Sequence, residues 1–366
     1  MTKPTDRRGG SPLDSEVAAG PPVNLAKADT DGGPVGVQPA RRSALRSIID
    51  MVGGQNLSLL VALALLVLVI GLNNHGLFYA QNLKTVGTSV AILGIIAVGQ
   101  TMVMIVGALD ISVGSQAGLA SVVSAMIFTA SGSAALGILA AIGVGILAGL
   151  FNSLVIVYGR VHAVITTLAT YAGFRGIANV ISDGRSQGYT GADSVFVFMA
   201  RGAIAGIPTL IWLLVVVAVL FHLMLRYTDI GRNVYAIGGN DVAARLSGIG
   251  LNKYIIGIYV LMGIIAAVAG ILLTARTGSG QPTSGSQGLE LQAITAAALG
   301  GCALQGGKGT VMGTILAVLL LGVLTNGLQI LGVNGLWQDV AQGALLVIAV
   351  MIQQQRRGTR PVGLPA

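Results

Sequence analysis

The chain has 366 residues, 54% hydrophobic and only 9% charged, with a mean hydropathy of +0.82 and a formal net charge of +8. Soluble domains carry roughly 25% charged residues, so this balance excludes a soluble globular protein and sets the class as an all-α polytopic membrane protein. The pI near 9.9 does not signal nucleic acid, because the basic residues sit at helix ends and in the tails instead of forming one patch.

Residues 1–50 are rich in Pro, Gly, Asp and basic side chains and show no helical or strand period, which reads as a disordered cytoplasmic tail. The first apolar run begins near Leu57, too deep for the hydrophobic region of a secretory signal peptide. Arg41, Arg42 and Arg46 precede it and hold the N-terminus in the cytoplasm. From there about ten spans follow, at 57–72, 84–106, 116–130, 134–158, 162–181, 207–225, 254–275, 288–305, 309–332 and 336–352. They make residues 51–355 one transmembrane domain, closed by a cytoplasmic tail at 356–366. With both termini inside, external loops carry only Arg185, Arg201 and Arg276, with Lys84 at a boundary, while the other basic residues outside the first forty, apart from Arg175 within the fifth span, fall in cytoplasmic segments. Spans two to five and seven to ten form two four-helix blocks of opposite orientation, the arrangement of an inverted repeat.

Between the second and third spans the chain reads Gly-Ala-Leu-Asp-Ile-Ser-Val-Gly-Ser at 107–115. A carboxylate here costs a few kcal/mol if it faces lipid, so Asp110 belongs inside the bundle or near an interface. Two roles fit it: a cap for the following helix, shared with Ser112 or Ser115, or a pin for a helix break beside a pore. Asp110, Ser112, Asn152, Thr166 and Asn326, with Gln100, Thr167 and Gln329, are the polar residues that could line a route for a neutral solute; each alone also serves as an interhelical hydrogen bond of around 0.6 kcal/mol. The remaining deep ionisable residues are Arg175, Glu290 and Asp339, whereas His162 and His222 sit at helix ends. The pairs Gly114/Gly118, Gly145/Gly149 and Gly309/Gly313 predict close helix packing. The single cysteine, Cys302, reads as a small buried side chain, and no metal site is expected.

The longest internal cytoplasmic loop, 226–253, contains a short helix capped by Asn240 or Asp241 and stopped at Gly248. Val242, Ala243 and Leu246 share one face of it, with Arg245 elsewhere. A short apolar face outside the membrane needs a partner's groove or a lipid surface to lie on; the absence of an aromatic favours the groove. Residues 306–310, Gly-Gly-Lys-Gly-Thr, resemble a phosphate loop only superficially, since Lys308 is followed by Gly and the required upstream glycine is Cys302. They read as a tight cytoplasmic turn.

Three segments in this order, Leu109-Asp-Ile-Ser-Val-Gly-Ser115, Gly238-Gly-Asn-Asp-Val-Ala-Ala-Arg-Leu-Ser-Gly248 and Leu299-Gly-Gly-Cys-Ala-Leu-Gln-Gly-Gly-Lys-Gly309, resemble the membrane-spanning permease subunit of bacterial ABC importers of the ribose/xylose/arabinose group. The resemblance covers about 57–352 and departs at Cys302, where a residue such as Thr is expected. It implies a multi-pass inner-membrane protein that moves a small neutral solute, a monosaccharide such as a pentose. Implied partners are a second permease copy or close paralogue, cytoplasmic ATP-binding subunits that hold ATP and Mg, and a periplasmic sugar-binding protein meeting loops 182–206 and 276–287. The chain itself is then a transport subunit and no enzyme, binds no cofactor, and touches lipid. Gly239, Asn240, Asp241, Val242, Ala243, Arg245, Leu246, Ser247 and Gly248 become the ATPase-coupling segment. The rival classes are an ion-coupled secondary transporter and a passive facilitator, each working alone and neither needing that segment; few buried acids or histidines favour a partner-driven machine.

Overall fold

A computed structural model describes residues 54–357. The tail expected over 1–50 and most of that over 356–366 lie outside these residues. Where no water is present, every spanning segment must satisfy its own backbone, and the described chain does so with helices: α1 Gly54–Asn73, α2 Ala80–Ile105, α3 Val113–Ser131, α4 Ala134–Val157, α5 Ala163–Ser182, α6 Ser194–Arg201, α7 Thr209–Tyr227, α8 Asp229–Gly239, α9 Asp241–Leu246, α10 Leu251–Thr277, α11 Leu289–Leu299, α12 Val311–Ile330 and α13 Gly335–Arg357. A 3₁₀ turn at His75–Phe78 and a two-residue hairpin, β1 Ala203–Ile204 with β2 Ile207–Pro208, interrupt them.

Eight of these helices are long and apolar enough to cross a membrane: α1 to α5, α7, α10 and α12. The tenth expected span falls within α13. The eighth, expected at 288–305, is instead the short α11, which ends at Leu299. The reason is backbone proximity. A Cβ on Gly300 would lie 2.5 Å from the Thr314 nitrogen, and Gly301 takes φ +97°, a conformation open to glycine. The chain therefore leaves the helix as soon as α12 crosses it.

Local chemistry sets the other ends. Gly132 at φ +69° closes α3, and Ser133 accepts from the Leu136 N–H to open α4. Asp193 accepts from the N–H groups of Val195 and Phe196 to start α6, which lies in the external loop expected at 182–206 and was not expected from the sequence. Thr310 accepts from the Gly313 N–H at the head of α12.

Helix α2 is the most buried of the spanning helices, closed on all sides from Val90 to Ile105. It packs against α11 and α12, and α10 packs against α3 and α4. The first helix of each four-helix block thus lies on the second and third helices of the other, and α2 and α10 touch each other. This exchange is what two interlocked copies of one unit produce, and it agrees with the duplication read from the sequence. Helices α1 and α7 pack on the outside, against α12 and α2.

The glycine pairs divide into two kinds. Gly145 and Gly149 of α4 meet α10 backbone to backbone: a Cβ at Gly149 would lie 2.2 Å from the Tyr259 oxygen, and one at Gly145 2.3 Å from the Gly263 oxygen. Gly114 and Gly118 meet no helix backbone; side chains come against them instead, Glu290 of α11 at Gly114 and Arg175 of α5 at Gly118. The two glycines make room for a non-helical segment, with Cβ positions 2.6 Å from the Ser286 and Pro282 oxygens. Overpacking of a tight core costs about 1–3 kcal/mol or more, so Gly149→Val should lower the thermal unfolding midpoint of the detergent-purified protein by several degrees. An unaltered midpoint would show that α4 and α10 do not meet as described.

Candidate functional site

Within the segment 107–116 the polar side chains of Asp110, Ser112, Ser115 and Gln116 form a buried brace. Asp110 Oδ1 accepts from the Ser112 backbone N–H at 2.8 Å and from the Ser112 hydroxyl at 2.6 Å, and its Oδ2 accepts from Gln116 Nε2 at 3.3 Å. Ser112 Oγ in turn accepts from Gln116 Nε2 at 2.7 Å and from Asn152 Nδ2 of α4 at 2.9 Å. Tyr259 of α10 donates its hydroxyl to the Leu109 carbonyl at 3.1 Å, and Thr167 of α5 donates to the same oxygen at 3.4 Å. Four helices are therefore tied to one turn. The cap residue of α3 is Ser112, with no side-chain cap bond, and Asp110 does not cap the helix itself but holds the N–H of Ser112 just before it. Asp110, Ser112 and Asn152 are brought together, all at 0% exposure. Thr166 lies next to Thr167 on α5, nearly fully buried, outside both this brace and the cavities described below.

The open space lies elsewhere. After α10 the chain bridges to the loop at 182–206 through two backbone bonds between Gln187 and Gly280. It then turns inward without helical structure: Arg175 of α5 donates to the Pro282 carbonyl and the Ser286 hydroxyl, both at 2.6 Å, and Pro282 and Ser286 are buried. The second half of the loop expected to be external at 276–287 is thus internal. Irregular backbone at membrane depth is tolerated where protein buries it or where it lines a cavity, and here both hold. A cavity of about 620 Å³ opens between α5, α11 and α13, lined by Tyr171, Gln287, Glu290, Gln292, Thr295 and Gln342 among others. This is within the roughly 300–1,000 Å³ of small-molecule sites. Arg175 stands over the Tyr171 ring at 5.7 Å. Glu290 receives the Gly288 N–H at its Oε1, 3.1 Å away, while its Oε2 approaches Gly114, where a Cβ could not fit.

Gln292 and Gln342 also line a second, smaller cavity of about 120 Å³ between α2, α11, α12 and α13. Asn326 sits there, exchanging hydrogen bonds with Asn82 of α2 at 2.9 and 3.0 Å, and Gln329 lines the same space. Of the eight pathway residues expected from the sequence, only Asn326 and Gln329 line these cavities. Tyr171, Gln287, Gln292 and Gln342 were missed, because glutamines scattered over three segments carry no local pattern.

At the far end of the bundle, the 226–253 loop holds two helices. Thr228 caps α8 by accepting from the Gly231 N–H, and Asn240 caps α9 by accepting from the Ala243 N–H at 2.9 Å. Ala244 is buried against Ile237 and Leu251, whereas Val242 is 62% and Leu246 85% exposed. The loop is anchored firmly. Tyr235 donates to the Gly309 carbonyl at 2.7 Å, and burial raises its phenol above the ordinary value, so it remains a donor. Gly307 donates to the Ile105 carbonyl at 2.8 Å, and a Cβ on Gly238 would lie 1.8 Å from that oxygen. The end of α2, the 300–310 turn and the end of α8 therefore meet at one point. Cys302 is fully buried in that turn, its Sγ 3.8 Å from Thr314 Oγ1.

Residues 82–350 match a protein family described as branched-chain amino acid transport system / permease component. The chain belongs to this permease family. The permease is 36% identical over 300 residues to a ribose import permease of Escherichia coli strain K12, covering 81% of this chain and 93% of that protein. It is 37% identical over 302 residues to a ribose import permease of Bacillus subtilis (82% and 94%), and 35% identical over 280 residues to an L-arabinose ABC transporter permease of Azospirillum brasilense (76% and 82%). No solved structure matches the permease. As a permease component it is the multi-pass membrane part of a transport system, a transport subunit and not an enzyme, and it works with other components.

Proposed function

We propose that this permease carries a monosaccharide, a pentose or a sugar of similar size, inward across the bacterial inner membrane as the spanning subunit of an ATP-driven importer. The observation that carries the substrate class is the 620 Å³ cavity, whose lining of Gln287, Gln292, Gln342, Thr295 and Tyr171, with the carboxyl of Glu290, offers the donors and acceptors that hydroxyl groups need. An amino-acid zwitterion would need a cation for its carboxylate, and no cationic side chain is among the lining residues, the nearby Arg175 bonding Pro282 and Ser286 through Nη1 outside the lining. The sugar named for the relatives supports the same class.

In this reading both termini are cytoplasmic, and a second permease copy, or a close paralogue, completes the pathway. Cytoplasmic subunits bind ATP and Mg, and a periplasmic binding protein delivers the sugar to the external face built by 182–206 and the outer part of the loop after α10. Residues 239–248 receive the ATPase. Asn326 and the amides around it line the route, with Asp110, Ser112, Asn152 and Thr166 supporting the helices that move. ATP-driven movement at α9 passes through Tyr235 and Gly238 to the 300–310 turn, and so to α11 and the cavity wall.

Each lost hydrogen bond of about 1 kcal/mol is worth about fivefold. Gln292→Ala and Gln342→Ala should therefore each cut sugar uptake by about fivefold in proteoliposomes holding the ATPase and binding protein, with the basal ATPase rate unchanged. Uptake of sugar by the permease alone, without an ATPase, would sink the reading in favour of a facilitator or an ion-coupled carrier. Uptake of leucine in place of the sugar would move the substrate class.

A further inference from the structure

A third cavity, of about 490 Å³, lies at the opposite end of α7 from the hairpin, lined by His222, Leu225, Arg226, Arg232, Tyr235, Thr310 and Val311. Its chemistry differs from that of the sugar cavity. Arg226 ends α7 and has no acidic partner among the described residues, while Arg232 pairs with Asp229. His222 and Arg226 lie one turn apart on the same helix, so both reach one rim of the cavity. Opposite them is the head of α12, a 20-residue helix whose N-terminal dipole end favours negative charge. Two cationic or protonatable side chains, a third held by its own carboxylate, and a helix head thus converge on one space. That lining fits an anion with several acceptor oxygens.

The surroundings say which anion. One face of α7 is apolar and exposed, with Val216, Val219, Leu220, Leu223 and Tyr227 at helical spacing, and Tyr227 directly follows the cavity-lining Arg226. The rings of His222 and Tyr227 meet edge to face at 6.4 Å, and tyrosine at such a level is typical of the membrane–water boundary. The residues that would bind the ATPase contribute nothing to the cavity: α9 packs on α8 and α10. An exposed apolar strip and a basic pocket carried by the same helix have the two-part chemistry of an amphiphile.

We propose that this cavity seats the headgroup phosphate of an anionic phospholipid of the cytoplasmic leaflet, with its acyl chains lying along the exposed face of α7. Basic pockets between helices on the cytoplasmic side have the charge such headgroups need. Because Tyr235 lines the cavity and also bonds the Gly309 carbonyl, a bound lipid would stiffen the joint between the 226–253 loop and the 300–310 turn.

The test uses the full-length permease purified in detergent and titrated with phosphatidylglycerol or phosphatidylcholine, with bound lipid counted by native mass spectrometry. The expected result is a preference for phosphatidylglycerol that falls about fivefold or more in the double variant His222→Gln/Arg226→Gln. Arg226→Lys should keep most of that preference, and Arg201→Gln, a basic residue at the external loop, should leave it intact. Unaltered thermal midpoints in all variants show that folding is preserved, which the exposure of both side chains leads one to expect. Full retention of phosphatidylglycerol by the double variant overturns the proposal. So does displacement of the lipid by millimolar inorganic phosphate, which would make the site one for a free anion. Loss of ATPase-subunit binding in the double variant with lipid preference unaltered would make it a protein-docking site instead.

Discussion

Leu246→Asp is expected to leave the permease inserted and folded while stopping uptake. The side chain is 85% exposed, so the substitution removes nothing from the core; the adjoining Ala244, buried against Ile237 and Leu251, and the Asn240 cap still hold α9 in place. Burying a leucine in a partner's groove is worth about 1.5–3 kcal/mol, and a carboxylate in that groove adds a desolvation cost. A loss near 3 kcal/mol corresponds to a fall of about 100-fold in affinity for the ATPase subunit. Co-purification of the ATPase, its stimulation by the permease and sugar uptake should all drop together, with the permease's thermal midpoint unaltered. Val242→Asp, at 62% exposure, should act in the same direction. If the ATPase still binds Leu246→Asp with wild-type affinity, α9 does not dock there and instead lies on the lipid surface. A complementary defect is expected from Gly238→Val, which must displace the Ile105 carbonyl: ATPase binding should survive while uptake falls, because the break is then inside the transmission path.

These two positions also show what the chain disclosed before folding. The α9 cap, its exposed Val242 and Leu246 and its stop at Gly248 follow from local rules, in which cap chemistry and a short helical period suffice. The preceding α8 was legible by the same rules, since Thr228 is a cap residue and Gly231, Val234 and Ile237 are buried at helical spacing, yet the loop was read as containing one helix. The long spans were visible because an apolar run of spanning length has few alternatives in a bilayer. What failed was set at long range. Nothing near Leu299 says that Gly300 must pass within reach of the Thr314 backbone, so α11 was drawn too long. Nothing near Gly114 and Gly118 says that they receive Pro282 and Ser286, a loop that hydropathy placed outside. The cavity was hidden for a related reason: Gln292 and Gln342 belong to different helices, and only tertiary packing turns them toward one space.

Asp110→Ala should be the most destabilising of these substitutions, and its cost should appear in folding, not in transport by the molecules that fold. The carboxylate accepts three hydrogen bonds in a site at 0% exposure. Alanine would leave the Ser112 N–H and part of the donor capacity of Ser112 and Gln116 without an acceptor, at about 1–3 kcal/mol per buried group. A total near 4 kcal/mol is a large part of the 5–15 kcal/mol that holds a typical domain. Expression and the thermal midpoint should both fall sharply. Asp110→Asn should cost much less, because the amide oxygen still accepts from both Ser112 groups; only the contact with Gln116 Nε2 becomes donor against donor. Sugar uptake normalised to folded permease should stay within about twofold of wild type in the asparagine variant, since a shift below 0.5 kcal/mol is of that size. The opposite pattern, a normal midpoint with uptake lost in Asp110→Asn, would place the carboxylate on the solute's route. The geometry argues against that pattern: Asp110 turns both oxygens to its own turn and to α3, and the helices that close around it, α4 through Asn152, α5 through Thr167 and α10 through Tyr259, are joined by hydrogen bonds that leave no space for a sugar.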